Sequence, residues 1–140
     1  MSDLETTTEL KIDWGKLEKV GALGQHVIPV VVQDIDTLTV LIVAFANQQA
    51  LEETLETGIA TFWSTSRNAL WVKGATSGDI LAVYHVLVNC EQNSLVYQVR
   101  SQGKDGGACH VKDVEGKNRD SCYYRKVLLQ DGWKLKFLSP

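Results

Sequence analysis

Val27-Ile28-Pro29-Val30-Val31-Val32-Gln33, followed after a short polar link by Leu38-Thr39-Val40-Leu41-Ile42-Val43-Ala44-Phe45-Ala46, is the stretch that decides the fold. The first run is rich in β-branched residues and reads as a strand, with Pro29 near its start or on an edge, where a missing N–H is tolerated. Asp34 to Thr37 supply a turn, and two strands joined by so short a loop predict an antiparallel hairpin. Working outward, Asn47 is a good N-cap for a helix over Gln48 to Thr57, with Leu51 and Leu55 four apart on one face and Gly58 placed to end it. Ala60 to Ser66 and Leu70 to Lys73 read as a second hairpin around Arg67-Asn68-Ala69. Ile80 to Val88 is a long apolar strand, with Leu95 to Arg100 as its neighbour. Tyr123 to Leu129 and Trp133 to Leu138 flank the hairpin signal Gln130-Asp131-Gly132. Upstream, a short helix is expected around Trp14 to Val20, with Asp13 as its N-cap. One principal helix among many antiparallel strands is an α+β class. Residues 1–10 lack apolar periodicity and read as a flexible lead-in, and 11–140 as a single domain.

Bulk properties narrow the function. The 140 residues suffice for one domain with a proper core, and 44% hydrophobic with 22% charged residues is an ordinary globular mix. A net charge of -3, from 14 basic and 17 acidic residues, argues against a general nucleic-acid or anionic-membrane binder. It still allows a small anionic substrate held by a few local cations. Met1 to Glu9 shows no basic region followed by an apolar stretch, so no secretory leader is expected. The most apolar segment, Val40 to Ala46, is far too short to cross a bilayer. A cytoplasmic location with reduced thiols follows, since three cysteines cannot form a complete intramolecular disulfide set.

Those cysteines, Cys90, Cys109 and Cys122, carry the chemical question. Scattered cysteines are more often buried apolar thiols than ligands, and without a C-x-x-C pair a structural zinc finger is not indicated. Their surroundings favour a metal: Asn89-Cys90-Glu91-Gln92-Asn93 is polar, Cys109 lies in a Gly-rich loop beside His110, and Cys122 follows Asp120-Ser121. Three protein ligands with one open position is the arrangement catalytic zinc uses. Spacing alone leaves both readings open. Lys73-Gly74-Ala75-Thr76-Ser77-Gly78 combines a cation, two hydroxyls and two glycines, a composition suited to phosphate but common in ordinary turns. Trp63 and Trp71, at strand positions, fit either a core or base stacking. The segment from Gln102 to Asp120, rich in Gly, Lys and Asp, is a long loop.

Several stretches taken in order carry a resemblance: Thr57 to Arg67 (TGIATFWSTSR), Leu70 to Gly78 (LWVKGATSG), Gly107-Ala108-Cys109-His110, and Ser121-Cys122-Tyr123-Tyr124-Arg125. Together they resemble the phosphoribosyl-AMP cyclohydrolase family of histidine biosynthesis, over about Val27 to Arg125. The resemblance implies an intertwined homodimer in which zinc is bound by three cysteines drawn from both subunits, with Cys90, Cys109 and Cys122 on those positions. It implies hydrolysis of the N1–C6 bond of the adenine ring, a purine nucleotide as the small-molecule partner, and no nucleic-acid or membrane partner. Activated water adds to C6 of a purine in zinc deaminases too, and the outcome depends on which nitrogen leaves. His110, beside a zinc ligand, is then the proton shuttle. Lys73, Thr76, Ser77 and Gly78, with Ser64, Ser66, Arg67 and Arg125, become the phosphate and ribose contacts.

The chain also departs from that family. The family carries Asp-Cys-Asp-x-Asp around its first zinc cysteine, the three aspartates binding magnesium. Here Asn89, Glu91 and Asn93 stand in their places, and a hard cation prefers charged oxygen ligands. Ala46 replaces a methionine, Thr65 an arginine and Leu81 a glutamine, while Val111-Lys112 replaces Thr-Gly. Two readings follow: a zinc hydrolase acting on phosphoribosyl-AMP or a related purine nucleotide with a weakened magnesium site, or a zinc-stabilised paralogue that binds a nucleotide or partner without turnover. Asp79 and Asp105 are the nearby carboxylates that would compensate for the lost aspartates.

Overall fold

A computed structural model describes residues 3–75, 78–103, 107–130 and 132–140. Thr76, Ser77 and Asp105, and Asp131 of the last hairpin signal, lie outside the described residues. The elements run α1 (Asp3–Thr6), α2 (Lys16–Ala22), β1 (Ile28–Asp34), β2 (Val40–Ala46), α3 (Gln48–Thr57), β3 (Thr61–Ser64), β4 (Ala69–Val72), β5 (Leu81–Val88), β6 (Leu95–Ser101), β7 (Arg125–Val127) and β8 (Leu135–Phe137). The α+β class with mainly antiparallel pairing is what the sequence predicts. A four-stranded sheet has the order β2-β1-β6-β5, and β3-β4 and β7-β8 form separate antiparallel pairs. Within the large sheet β1 and β2 form the expected hairpin, β5 pairs with β6, and β1 runs parallel to β6.

Alternation along the strands builds the core. Val30 and Val32 of β1 and Leu95, Tyr97 and Val99 of β6 are buried on one face, where they meet Phe62 of β3, Leu81 of β5 and Ala50 of α3. The opposite face is also apolar and, among the described residues, partly open to solvent. Val43, Val31, Val96 and Leu87 stand in register across all four strands, and Val43 and Leu87 are 45% and 46% exposed. β5 is therefore less buried than its composition predicts: Tyr84, Leu87 and Val88 all face solvent.

α3 begins at the predicted Asn47, whose side chain accepts from Ala50 N at 2.9 Å, and ends at Gly58 with φ 72°, which glycine adopts without strain. Its inward stripe keeps half of the expected Leu51/Leu55 face: Leu51 packs partly buried against the core beside buried Ala50 and Thr54, and Leu55 is exposed. Thr54 brings the helix against β3. The Thr54 hydroxyl joins them, accepting from Thr61 N at 3.0 Å and lying 2.9 Å from Ala50 O and 3.1 Å from Thr61 O.

Two N-terminal details also differ from the sequence reading. α2 starts at Lys16, not Trp14, because the Asp13 carboxylate accepts from Gly15 N and closes a turn before the helix. The segment read as a flexible lead-in makes specific contacts. Its α1 turn is followed by backbone pairing with the far edge of the last hairpin, Leu135 N to Thr8 O at 2.7 Å and Leu10 N to Trp133 O at 2.8 Å. Pairing through backbone groups leaves no hydrophobic period in the sequence. No helix among the described residues is long and apolar enough to cross a membrane.

Candidate active site

The β3–β4 turn, residues 65–68, forms one wall of a cleft of about 400 Å³. Asn68, at φ 53°, closes this turn. Ser64 Oγ accepts from Arg67 N and Arg67 Nε, both at 3.3 Å, and lies 3.4 Å from Ser66 Oγ. The strand pair thus delivers two hydroxyls and a guanidinium to one point. Trp63 and Trp71 line the cleft, and Trp71 also packs against buried Phe62 with ring centroids 5.3 Å apart, so it serves core and cleft together. Val43, Ala44 and Phe45 of β2 form the opposite wall, and His110 completes the lining. Four residues predicted from sequence, Ser64, Ser66, Arg67 and His110, therefore meet in one cleft. No carboxylate is among its described lining residues, which suits an anionic ligand. A larger groove of about 710 Å³ runs beside Asp113, Glu115 and Asp120 and holds none of the predicted site residues.

His110 and Cys109 come from the 107–120 loop, which is tightly tied down. Cys109 N donates to Arg119 O and Arg119 N to Val111 O, both at 2.9 Å. Gly107 lies so close to Asn118 that any side chain would collide with its backbone. Arg119 is buried, stacks on Tyr124 with the guanidinium carbon 4.5 Å from the ring centre, and donates to the backbone oxygens of Ser139 and Pro140. This framework buries the Cys109 residue and leaves the His110 side chain 78% exposed, with Nε2 3.0 Å from Glu5 Oε1. Glu5 is held in turn, since its carbonyl accepts the Tyr124 hydroxyl at 2.6 Å.

Cys122 reaches the same region from the next segment, anchored by Cys122 N donating to Leu41 O at 2.8 Å. The residue is exposed overall, but its thiol is turned towards Cys109. Loss of solvent around that thiol, then the like charge and hydrogen bond of Cys109, push it up to about 12, while the Lys73 ammonium pulls the other way. Two facing thiols are a soft donor pair for a cation such as zinc, which binds thiolates. Cys90 does not join them within one chain: among the described residues no three His, Cys, Asp or Glu side chains gather closely enough to hold a metal.

Cys90 instead sits exposed on the β5–β6 hairpin loop. Asn89 Oδ1 accepts from Asn93 N at 2.9 Å and Ser94 N at 3.0 Å, while Asn89 Nδ2 donates to Asn93 Oδ1 at 2.6 Å. The two amides satisfy one another and fix the turn, in which Gln92 takes φ 53°. Their oxygens are thus engaged by the protein's own N–H groups, and with Glu91 as the one carboxylate the segment does not fit a magnesium site.

Of the remaining predicted residues, Lys73 lies by the cysteine pair and Gly78, at φ 84°, donates to Gly74 O at 2.7 Å. Asp79 is buried between Gly74 and Gly103, where a side chain on either glycine would collide with it. Arg125 is outside the cleft: Nη1 donates to Thr7 O at 2.9 Å and the guanidinium stacks on Tyr124. Sequence reasoning missed Lys16, which enters the cleft from α2, and Glu5, which meets His110. Glu5 lies in a segment without apolar periodicity, and Lys16 lies in the expected upstream helix, which carries no motif.

Comparison with known proteins matches this arrangement of motifs to one family. Residues 42–124 match the model of the family described as Phosphoribosyl-AMP cyclohydrolase. A protein of that name from Hyphomonas neptunium is 45% identical over 71% of this chain and 70% of its own length. Another, from Methanothermobacter thermautotrophicus, is 44% identical over 81% of this chain and 73% of its own. A third, from Archaeoglobus fulgidus, is 41% identical over 71% of this chain and 84% of its own. The matched span contains the Ser64–Arg67 turn, all three cysteines and His110. The chain belongs to the phosphoribosyl-AMP cyclohydrolase family.

Proposed function

We propose that this cyclohydrolase is zinc-dependent and opens the adenine ring of phosphoribosyl-AMP, or of a closely related purine nucleotide, at the N1–C6 bond. The observation that carries this reading is the facing pair Cys109/Cys122, with His110, next to Cys109 in the chain, lining one cleft with Ser64, Ser66 and Arg67. The relatives' shared name supplies the reaction class. Zinc, when bound by these thiolates, activates water at neutral pH. The chain's own residues do the rest. Arg67 and the Ser64 and Ser66 hydroxyls bind a phosphate, and Trp63 and Trp71 offer flat apolar surface to the base. With Nε2–H of His110 donated to Glu5, Nδ1 is the free acceptor. Water adds to C6, His110 takes one of its protons and returns it to N1, and the N1–C6 bond breaks as C6 becomes an amide carbonyl, the second proton passing to the exocyclic nitrogen, which becomes the amide NH2.

The third thiolate is Cys90 of a second copy. Cys90 is exposed at the end of β5, next to the partly open apolar row Val43-Val31-Val96-Leu87, and a face of that kind favours burial against another chain. A homodimer with shared zinc sites satisfies both features. The expected metal content is one zinc per chain, lost in Cys90→Ser and in Cys109→Ser. Mixing these two variants restores some sites, because one mixed dimer carries one intact set. No recovery on mixing, with zinc intact in either single variant, refutes the shared site.

A second reading, a relative that binds the nucleotide without turnover, is favoured by the Asn89–Asn93 closure, where carboxylates for a hard cation are absent. Tight binding of the nucleotide with no ring opening at any zinc or magnesium concentration would select it.

A further inference from the structure

We propose that Lys16 is a phosphate-binding residue of the cleft, supplied by α2 from outside the family-matched span. This rests on the nucleotide-hydrolase reading for the identity of the substrate, but not for the anion site itself. Lys16 is the first residue of α2, and its ammonium is 3.0 Å from Thr65 Oγ1 on the same turn that presents Ser64, Ser66 and Arg67. Thr65 is buried, so this contact fixes the amine at the cleft wall. The ammonium also lies 5.9 Å from the centre of the Phe45 ring on the facing wall, so it spans the cleft mouth.

Three features separate Lys16 from an ordinary surface lysine. Its neighbour Lys19 pairs with Asp13 at 3.6 Å, whereas among the described residues no carboxylate lies within ion-pair distance of Lys16. An ammonium has three donors, and the Thr65 contact uses one, leaving two to point at a ligand. The adjoining chain is docked on the turn independently of Lys16, since Gln25 Nε2 donates to Thr65 O at 3.0 Å and to Asn68 Oδ1 at 3.1 Å. The lysine is therefore not needed to hold α2 in place. Two cations and two hydroxyls line one cleft whose described lining holds no carboxylate, a set that recognises a phosphomonoester dianion. Both ends of phosphoribosyl-AMP carry that group on a ribose.

The test uses ribose 5-phosphate, with ribose as the uncharged control, titrated into the full chain and followed by NMR chemical shifts. The wild type is expected to bind ribose 5-phosphate more tightly than ribose. Lys16→Met, which keeps the aliphatic stem, should lose about tenfold of that affinity, and Lys16→Arg should retain most of it. The difference between wild type and Lys16→Met should shrink as salt rises, as for an exposed charge. In turnover of phosphoribosyl-AMP, Lys16→Met should raise KM by a similar factor and leave kcat within about twofold. A merely structural lysine would change thermal stability and not the preference for phosphate. Equal binding of both probes by the wild type, or unchanged ribose 5-phosphate affinity in Lys16→Met, overturns the proposal. A Lys16-dependent preference without turnover would uphold the anion site and refute the hydrolase reading; turnover with an unchanged KM in Lys16→Met would do the reverse.

Discussion

Replacing Thr54 by valine removes one hydroxyl from the joint between α3 and β3 while keeping side-chain shape and volume. Thr54 is 1% exposed and Thr61 3% exposed, so water cannot replace what is lost. In the wild type the hydroxyl accepts from Thr61 N at 3.0 Å and shares its proton between Ala50 O and Thr61 O. Valine leaves the Thr61 N–H buried without an acceptor, a cost of about 1–3 kcal/mol, and no cavity term is added. Taking about 2 kcal/mol, and roughly 3 °C per kcal/mol for a domain of this size, Tm should fall by about 6 °C. Thr54→Ser keeps the hydroxyl and removes one methyl, for about 1 kcal/mol. Calorimetry of both variants then gives an ordering, wild type above serine above valine. A valine variant as stable as the serine variant would refute the claim that this hydroxyl ties helix to strand. Because β3 leads directly into Ser64, the valine variant should also raise KM for the nucleotide.

Other expectations follow from the same contacts. The triple change Asn89→Asp, Glu91→Asp, Asn93→Asp puts two carboxylates where an amide pair now stands 2.6 Å apart, so without magnesium it should lower Tm by a few degrees. Magnesium should restore Tm in the triple variant only, and equal magnesium response in the wild type would contradict the structural account. Glu5→Gln should reduce kcat several-fold with KM little changed, since Glu5 orients the His110 ring without lining the cleft; an unchanged kcat would remove Glu5 from the mechanism. In metal-free protein a thiol reagent should modify buried Cys109 last, with zinc protecting the set. Fast modification of Cys109 would mean that the 107–120 loop is not held as described.

Much of the fold was legible because it is local. The β-branched strand β1, the strand β6 beside β5, the Asn47 cap and the Gly58 stop each act within a few residues, and each stands where the sequence predicts. The inward stripe of α3 was legible only at Leu51, because the buried contact with β3 is made by the Thr54 hydroxyl, a polar group that adds nothing to an apolar period. The N-terminal pairing of Thr8 and Leu10 with the last hairpin is carried by backbone groups, which leave no side-chain pattern. Lys16 and Glu5 were hidden for another reason, since their side chains act through contacts 49 and 105 residues away. The residues inside the motifs fared differently. Ser64, Ser66, Arg67 and His110 meet in one cleft, Cys109 and Cys122 face each other, and Cys90 stands apart on its own loop.

The most direct measurement is turnover of phosphoribosyl-AMP by the purified protein, followed by the absorbance change on ring opening, after removal of metals and again after adding back zinc alone. The account predicts no activity in the stripped protein, recovery with zinc in the absence of magnesium, and a loss of at least about a hundredfold in His110→Ala. Absence of ring opening in the zinc-loaded protein, with or without magnesium, would contradict it.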